Sequence, residues 1–338
     1  MSNDVITFAH GSGGRAMQQL IQDTLVRHFD NPFLRRGEDQ ARLPLTQLAS
    51  QGSQLAMTTD SFVIDPIIFA GGDIGKLAVC GTANDLAVGG ARPEYLTCSL
   101  ILEEGLPLAT LDTIIASMAA TAQQAKIEIV TGDTKVVGHG CADKIFINTT
   151  GIGVISPEVH WGMDQIAADD AIIVTGNLGD HGAAILNERE NLGLGDQLVS
   201  DCALLWPLVE PLLSIRGIHT LRDATRGGVN AILHEFATAS GLGMQINEHA
   251  LPVNDAVRGM CELLGLDPLN LANEGKLVII TSAQSAAAVL NALQAHPLGK
   301  DARQIGTVNS QSGVQICGAY GVTRHLDLPY FEPLPRIC

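Results

Sequence analysis

The spacing of apolar residues predicts alternating helices and strands in the first half of the chain. In residues 15–29 the apolar side chains recur three or four positions apart, which places them on one face of a helix. Short apolar runs rich in β-branched residues indicate strands. The pattern predicts helices over residues 15–29, 75–88 and 108–125, and strands over 54–64, 95–102, 127–130 and 145–154.

The second half shows the same mixture of periodicities. A short apolar run at 171–176 opens it as a strand, and longer segments with helical spacing follow. Helices and strands in both halves indicate an α/β or α+β fold. The pattern predicts strands over 171–176, 243–247, 276–281, 304–308 and 313–317, and helices over 181–190, 200–214, 229–240, 254–264 and 284–295.

Two features divide the chain into domains. The periodicity lapses between residues 156 and 168, and we place a domain boundary there. The end of the chain carries Pro329, Pro333 and Pro335. Because proline fixes φ and lacks an N–H, an extended tail is expected. The prediction is an N-terminal domain over 1–155, a C-terminal domain over 156–325 and a tail over 326–338.

Composition narrows the class of protein. The chain has 338 residues and a formal net charge of −16, which argues against nucleic acid and anionic lipid as partners. An acidic chain that binds phosphates needs metal ions, backbone N–H groups and a few placed cations. No apolar run approaches the roughly 18 residues of a membrane span. The start lacks the pattern of a signal peptide, and the seven cysteines include no CxxC pair. A cytoplasmic, reduced protein with no membrane partner is therefore expected.

Several acidic residues stand where acids are unfavourable. Asp60 lies inside an apolar strand pattern, and Asp85 lies beside Asn84 in a helix of small residues. A buried carboxylate must be paired, protonated or bound to a metal. Asp133 follows the strand at 127–130, where open sheets bind ligands, although a turn aspartate is an alternative there. Asp39 and Asp223 lie in polar segments and share that alternative. Together such carboxylates suit Mg²⁺, provided that the fold brings them together.

Glycine-rich segments offer sites for anions. His10–Gly14, which includes Gly11, Ser12 and Gly13, runs directly into a helix, so it predicts an anion site or, alternatively, a flexible arm. Neither a P-loop nor a Rossmann fingerprint occurs. Lys135 can meet a phosphate or remain a solvated surface lysine. Residues 179–182 (GDHG) follow a strand and open a helix, with Asp180 as a possible cap.

Cys338 is the last residue of the sequence, on a tail stiffened by proline. A terminal thiol of this kind can move between sites as a covalent handle. The alternative is a chance terminal cysteine. Exposed reactive thiols are avoided in cytosolic proteins, which weakens that alternative.

Eight segments occur in the order typical of one family. They are HGSGG (10–14), TTDSFVIDP (58–66), CGTANDLAVGGARPEYL (80–96), VTGDTKVV (130–137), GDHG (179–182), LRDATRGGVN (221–230), ANEGKLV (272–278) and PRIC (335–338). On these segments the chain resembles, from end to end, the HypE family of carbamoyl dehydratases in nickel–iron hydrogenase maturation. TTD, ND…GA.P and the D.T.GG-type motif alone would indicate only a wider, PurM-like superfamily with aminoimidazole ribonucleotide synthetase, selenophosphate synthetase and thiamine monophosphate kinase. NEGK and PRIC are specific to the HypE family.

The resemblance implies an α+β protein of two PurM-like domains, whose N-terminal sheets pair across a homodimer with ATP near the interface. It implies that the carbamoyltransferase HypF places a carbamoyl group on the thiol of Cys338. ATP then drives dehydration of the thiocarbamate to a thiocyanate, and the cyano group passes to iron on the HypC–HypD complex. Such chemistry needs metal ions on the phosphates, a general base near the nitrogen and exclusion of water.

The resemblance also assigns roles to residues. Glu274 in NEGK is the candidate base, Cys338 is the site of attachment, and Lys135 is the third catalytic residue. The implied metal ligands are Asp39, Asp60, Asp85 and Asp223, with Mg²⁺ as the ion; Asp39 rests on an approximate motif match. The implied nucleotide-binding residues are Gly11, Ser12, Gly13, Gly14, Asp60, Asn84, Asp85, Asp133 and Asp223.

Other functions remain to be separated from this one. Selenophosphate synthetase uses a reactive residue near its N-terminus, whereas this chain has no cysteine before Cys80. Thiamine monophosphate kinase needs no terminal cysteine. A non-catalytic carrier that only presents Cys338 to partners is the alternative from another class, and it would show no ATP turnover.

Overall fold

The computed structural model describes residues 5–194, 197–318, 320–330 and 334–338. The chain folds into two units. Unit 1 runs through Leu86 and continues with Ala91–Ser156 and Cys338, whereas unit 2 comprises Ala87–Gly90 and Pro157–Ile337. Pro333 of the predicted extended tail lies outside the described residues, and the described part of the tail contains no helix. Among the described residues, no helix is both long enough and apolar enough to span a membrane.

Unit 1 is built on one mixed sheet. Its strand order is β1-β6-β4-β5, and only the β4–β5 pair is parallel. The elements are α1 (Arg15–Leu20), a π-helical segment (Ile21–Val26), α2 (Arg27–Phe29), α3 (Leu45–Ala49), β1 (Gln54–Phe62), β2 (Ile68–Phe69), β3 (Gly72–Asp73), α4 (Ile74–Val88), β4 (Ala91–Glu103), α5 (Leu108–Ala125), β5 (Glu128–Val137) and β6 (Ile145–Ile155).

Helices α4 and α5 cover one face of this sheet. The buried Thr149 of β6 bonds the Ala78 carbonyl of α4 at 3.2 Å, and Met118 of α5 lies against Cys98 of β4. The opposite face carries polar and exposed apolar side chains, and those of β1 lie directly across from those of β6. Met57 is 74 % exposed there, and the Thr150 hydroxyl donates to that of Thr59 at 3.0 Å.

Unit 2 is built on a seven-stranded sheet of order β13-β12-β9-β11-β7-β10-β8. Only the β12–β9 pair is parallel. The elements are β7 (Ala171–Val174), α6 (Asp180–Glu190), α7 (Trp206–Val209), β8 (Ile218–Asp223), α8 (Gly228–Ser240), β9 (Gly243–Asn247), α9 (Asp255–Leu264), β10 (Leu277–Thr281), α10 (Ala286–Gln294), β11 (Arg303–Asn309), β12 (Gly313–Cys317) and β13 (Thr323–His325).

The central strands β7 and β10 of unit 2 are buried on both faces, which explains their continuous apolar sequences. In β10, Val278 and Ile280 join the core under α8, whereas Leu277 and Ile279 join the core under α10. Successive side chains of a strand point to opposite faces, so both sets must be apolar when helices cover both sides. The α+β fold class is thereby confirmed.

Several elements differ from the sequence prediction, among them α3, β2, β3 and β13, which were not predicted. Residues 200–205 are not helical, and α7 together with the 3-10 helix Glu210–Ser214 replaces the predicted helix over 200–214. Pro207 and Pro211 each lack the N–H that a continuous helix needs. Strand β8 was not predicted. Strand β5 extends to Val137 instead of ending at 130, because its polar half pairs in parallel with β4 through Glu103.

Candidate active site

Two of the predicted acids lie on the same border of unit 1, between strand β1 and helix α4. The Thr58 hydroxyl of β1 donates to Asp85 Oδ2 of α4 at 2.9 Å. Asp60 is two residues further along β1 and therefore points to the same face. Its Oδ2 is 3.9 Å from where a Cβ on Gly81, one helical turn before Asp85, would stand. The structure thus brings Asp60 and Asp85 to one edge, with the buried Asn84 next to them.

Asp133 and Lys135 lie inside β5 and not after it, which corrects the sequence prediction of their position. Strand β5 is the edge of its sheet, so polar side chains can continue it without burial. Lys135 Nζ is 2.7 and 2.6 Å from the two carboxylate oxygens of Asp133, and both side chains are exposed. This hydrogen bond is the main cause that lowers the pKa of Asp133.

The glycine-rich segment of unit 1 lies along the same edge strand. A Cβ on Gly11 would come within 2.9 Å of the Val136 side chain and 3.0 Å of its backbone nitrogen. Gly14 precedes the first residue of α1, and Gly13 has a φ of +79°. His10 Nδ1 accepts the Thr7 N–H at 2.9 Å, which turns the chain before the glycines. The helix start expected after this segment is confirmed.

The NEGK motif of unit 2 forms a tight turn around one buried carboxylate. Asp201, whose side chain is 3 % exposed, accepts the backbone N–H of Glu274 at 3.0 Å and that of Gly275 at 3.1 Å. It also accepts from Lys276 Nζ at 3.1 Å. A Cβ on Gly275 would lie 1.9 Å from the Asp201 carbonyl oxygen, so only glycine fits. Glu274 is therefore held by its own backbone, and the residue is 3 % exposed.

Asp223 lies beside the end of this turn, at the last position of strand β8. It ends β8 opposite Leu277, and the next residue, Ala224, accepts the Asn273 side chain at 3.0 Å. Asn273 Oδ1 in turn accepts the Gly179 N–H at 2.8 Å. The motifs GDHG, RDATRGG and NEGK thus meet in unit 2, which their sequence separation did not reveal.

Asp180 does not cap its helix, contrary to the sequence prediction. Helix α6 begins at Asp180 itself, and Asp180 Oδ1 accepts from the Asn254 side chain at 2.8 Å. Burial, reinforced by the charge of Asp201, raises the pKa of Asp180 to about 6. A carboxyl with that pKa exchanges protons near neutral pH.

The tail is held in unit 2 by two side chains of α6. His181, fully buried, lies 2.8 Å through Nε2 from the Ile337 carbonyl oxygen. Arg189 donates to the Pro335 carbonyl at 2.8 Å and also to the Arg336 carbonyl. The Leu334 and Ile337 side chains are buried. In unit 1, the Cys338 carbonyl oxygen accepts the Val63 N–H at 3.0 Å.

A complete metal cluster is not present among the described residues, where no group of three or more His, Cys, Asp or Glu side chains is arranged to hold an ion. Asp39 lies in an exposed bend of unit 1. The donors that fit Mg²⁺ are Asp60 and Asp85, because Mg²⁺ in nucleotide sites uses one or two carboxylates and takes its other ligands from phosphate and water.

Sequence reasoning missed Asp201, Arg189 and Thr58. Asp201 falls in a segment whose pattern suggested a helix, and Arg189 looks like an ordinary surface residue at a helix end. A signal was available only for Asp201, since a buried Lys276 within NEGK requires an acid partner.

Two family models match the chain and together cover most of it. The N-terminal domain of AIR synthase related proteins matches residues 37–155, and the C-terminal domain of the same class matches residues 167–317. The fold and the two matched domains therefore define a protein of the AIR synthase related class.

Known relatives narrow this class further. The chain is 61 % identical to carbamoyl dehydratase HypE of Escherichia coli over 98 % of this chain and 99 % of that protein. A crystal structure of hydrogenase maturation protein HypE in complex with ATP is 47 % identical, with a TM-score of 0.93 over 98 % and 99 % of the two chains. A HypE–HypF complex is 42 % identical, with a TM-score of 0.80 over 94 % and 100 %. The chain belongs to the carbamoyl dehydratase HypE family.

Proposed function

We propose that this chain dehydrates an S-carbamoyl group on Cys338 to S-cyanocysteine at the expense of ATP and thereby supplies cyanide ligands for hydrogenase iron. The observation that carries the proposal is in unit 2. The buried Glu274 stands on a turn fixed by Asp201, and the same unit binds the tail carbonyls that precede Cys338. The proposed base and the tail residues that precede Cys338 therefore belong to the same unit.

The reaction requires two steps at one carbon. The carbamoyl oxygen attacks the γ-phosphorus of ATP, ADP leaves, and the poor leaving group becomes a phosphate ester. Loss of the two N–H protons, one to Glu274 and one to the departing phosphate, then forms the C≡N bond. Glu274 is assigned to accept a proton from nitrogen, because a carboxylate can act as a general base. Lys135 is assigned to neutralise charge on the transferred group.

We assign nucleotide and metal binding to unit 1. Asp60 and Asp85 would hold Mg²⁺, which supplies charge neutralisation on the phosphates when it is bound. The bare N–H groups of residues 11–14 and the start of α1 suit a phosphate. Asn84 and Asp133 complete the proposed nucleotide set of unit 1, and Asp39 remains a proposed metal ligand there. Asp223, which belongs to unit 2, remains a proposed nucleotide-binding residue and metal ligand. The complex of a HypE with ATP supports the choice of nucleotide.

Partners are proposed on similar grounds. The HypE–HypF complex of a relative supports a carbamoyltransferase HypF as donor to the tail. Transfer of the cyano group to iron on a HypC–HypD complex is proposed from the family resemblance alone. A homodimer is proposed through the sheet face of unit 1 that carries Met57 and Thr59, because it combines exposed apolar side chains with a hydroxyl ladder.

The test weighs the tail peptide after incubation with HypF, carbamoyl phosphate and ATP. The wild-type tail should gain a carbamoyl group and then lose one water. Cys338→Ala should bind ATP and carry neither group. Glu274→Gln should accept carbamoyl and stop at that mass, because an amide keeps the shape and cannot take the proton.

Glu262→Gln is the matched control, since Glu262 is exposed on α9. It should behave as wild type. A Glu274→Gln tail that loses water at the normal rate removes Glu274 from the role of base. A cyano mass on another cysteine refutes the assignment of Cys338 as the site of attachment. A wild-type tail that never loses water refutes the proposed function and favours a carrier.

A further inference from the structure

Helix α6 presents donors to three consecutive carbonyls of the tail. Arg189 donates to the carbonyls of Pro335 and Arg336, and His181 donates to the carbonyl of Ile337, the residue before Cys338. Arg336 has a φ of +56°, a conformation that residues other than glycine rarely adopt. The carbonyls on both sides of its Cα are bound by one guanidinium. Contacts from α6 therefore stabilise the turn that directs the end of the tail.

The hydrogen bonds define the tautomer of His181. A carbonyl oxygen only accepts, so Nε2 must carry the proton that the Ile337 carbonyl receives. Nδ1 is then an acceptor, and it lies 2.7 Å from the Ser200 hydroxyl, which must donate to it. Ser200 Oγ in turn accepts the Cys202 N–H at 3.1 Å. Burial lowers the pKa of His181, which favours this neutral ring.

The same short segment fixes the candidate base. Ser200 orients the His181 ring, and the adjacent residue, Asp201, binds the backbone of Glu274 and Gly275. The tail contact and the NEGK turn thus share residues 200–202 as a common support. A displacement of this segment would move both together.

We propose that His181 and Arg189 are positioning residues for dehydration: they bind the backbone of residues 335–337 and hold this part of the tail in one defined conformation for the reaction. This inference rests on the proposed function, since it assigns the tail as substrate carrier. Neither residue touches the reacting atoms. Their contribution is to raise the fraction of tails that are correctly placed, which acts on rate through orientation.

The first test measures docking without the reaction. Full-length protein is alkylated with iodoacetamide, and modification of Cys338 is followed by the mass of the tail peptide, so that the other cysteines do not interfere. Arg189→Ala and His181→Phe should each raise the alkylation rate of Cys338 about tenfold, because each removes donors to the tail. His181→Gln should stay near wild type, since its terminal amide can donate where Nε2 does.

The second test measures single-turnover loss of water from the carbamoylated tail. Arg189→Ala and His181→Phe should slow this step about tenfold while the KM for ATP stays as in wild type. Arg303→Ala, an exposed arginine of β11, is the matched control and should change neither rate. A general structural defect would instead raise the KM for ATP as the rates fall.

The outcomes separate this proposal from the proposed function. Alkylation rates of Arg189→Ala and His181→Phe equal to those of wild type and Arg303→Ala would overturn the positioning role, whatever the activity. If both folded variants are alkylated faster yet lose water at the wild-type rate, docking does not serve the reaction and the proposal is also wrong. If the wild-type tail never loses water, the proposed function fails, whereas the alkylation result still reports the docking contact.

Discussion

Replacement of Asp201 by Asn tests whether a single buried carboxylate fixes the NEGK turn. Asp201 accepts from two backbone N–H groups and from Lys276, and the side chains of this ion pair are 3 % and 11 % exposed. Asn keeps the shape but offers one acceptor oxygen in place of two. It also leaves the ammonium of Lys276 buried without its counter-charge.

The expected cost follows from that burial. Removal of one partner of a buried ion pair costs about 3–5 kcal/mol, because the remaining charge is uncompensated. We take about 3 kcal/mol for Asn, since one hydrogen bond to the turn can survive. Each 1.4 kcal/mol corresponds to a factor of ten, so local opening of the turn should become about a hundredfold more frequent.

Native-state amide hydrogen exchange measures this directly, because it reports local opening without assuming that the two units unfold together. The amides of Glu274 and Gly275 should lose about a hundredfold in protection in Asp201→Asn. Asp164→Asn, an exposed aspartate of unit 2, is the control and should leave them unchanged. Asp201→Asn combined with Lys276→Met should recover much of the protection, since no buried charge is then left alone.

Unchanged protection in Asp201→Asn would refute the view that this carboxylate holds the turn. A loss of protection with a normal rate of dehydration would refute the link between the turn and the base. The expected result is a joint loss of protection and dehydration, with ATP binding retained in unit 1.

Two further predictions concern acids. The folded-state pKa of Asp180, about 6, is above its ordinary value of 3.8, so the folded chain binds the extra proton and this residue costs stability as pH rises from about 4 to 6. Asp180→Asn should therefore be more stable than wild type between pH 5 and 7, by on the order of 2 kcal/mol at pH 7. Thermal unfolding should show that the stability difference between variant and wild type grows up to about pH 6 and then stays constant. Asp85→Asn should fold normally and lose ATP turnover by a hundredfold or more, since it removes a proposed Mg²⁺ ligand; wild-type turnover would exclude that role.

The local pattern predicted most regular elements. Helix α5 spans Leu108–Ala125 as its periodicity indicated, and β9 spans Gly243–Asn247 as expected. Such segments bury one face or two, and burial requires a regular spacing of apolar residues that can be recognised in the sequence. Failures occurred where tertiary contacts outweighed local preference, as at residues 200–205, which extend so that Asp201 meets the NEGK backbone.

For the candidate site, too, the sequence predicted some features and only the tertiary structure showed the others. Sequence by itself determined which residues have unusual chemistry: Asp60 in a strand, Asp85 in an apolar helix, the NEGK glutamate and Cys338 on a tail. Tertiary structure alone decided which of them meet. Thr58 bonds Asp85 only because β1 lies beside α4, and Asp201 meets Glu274 across 73 positions of chain. Residue order carries periodicity and composition, whereas long-range pairing depends on how the sheets assemble, and so the partners of the functional residues became visible only in the folded chain.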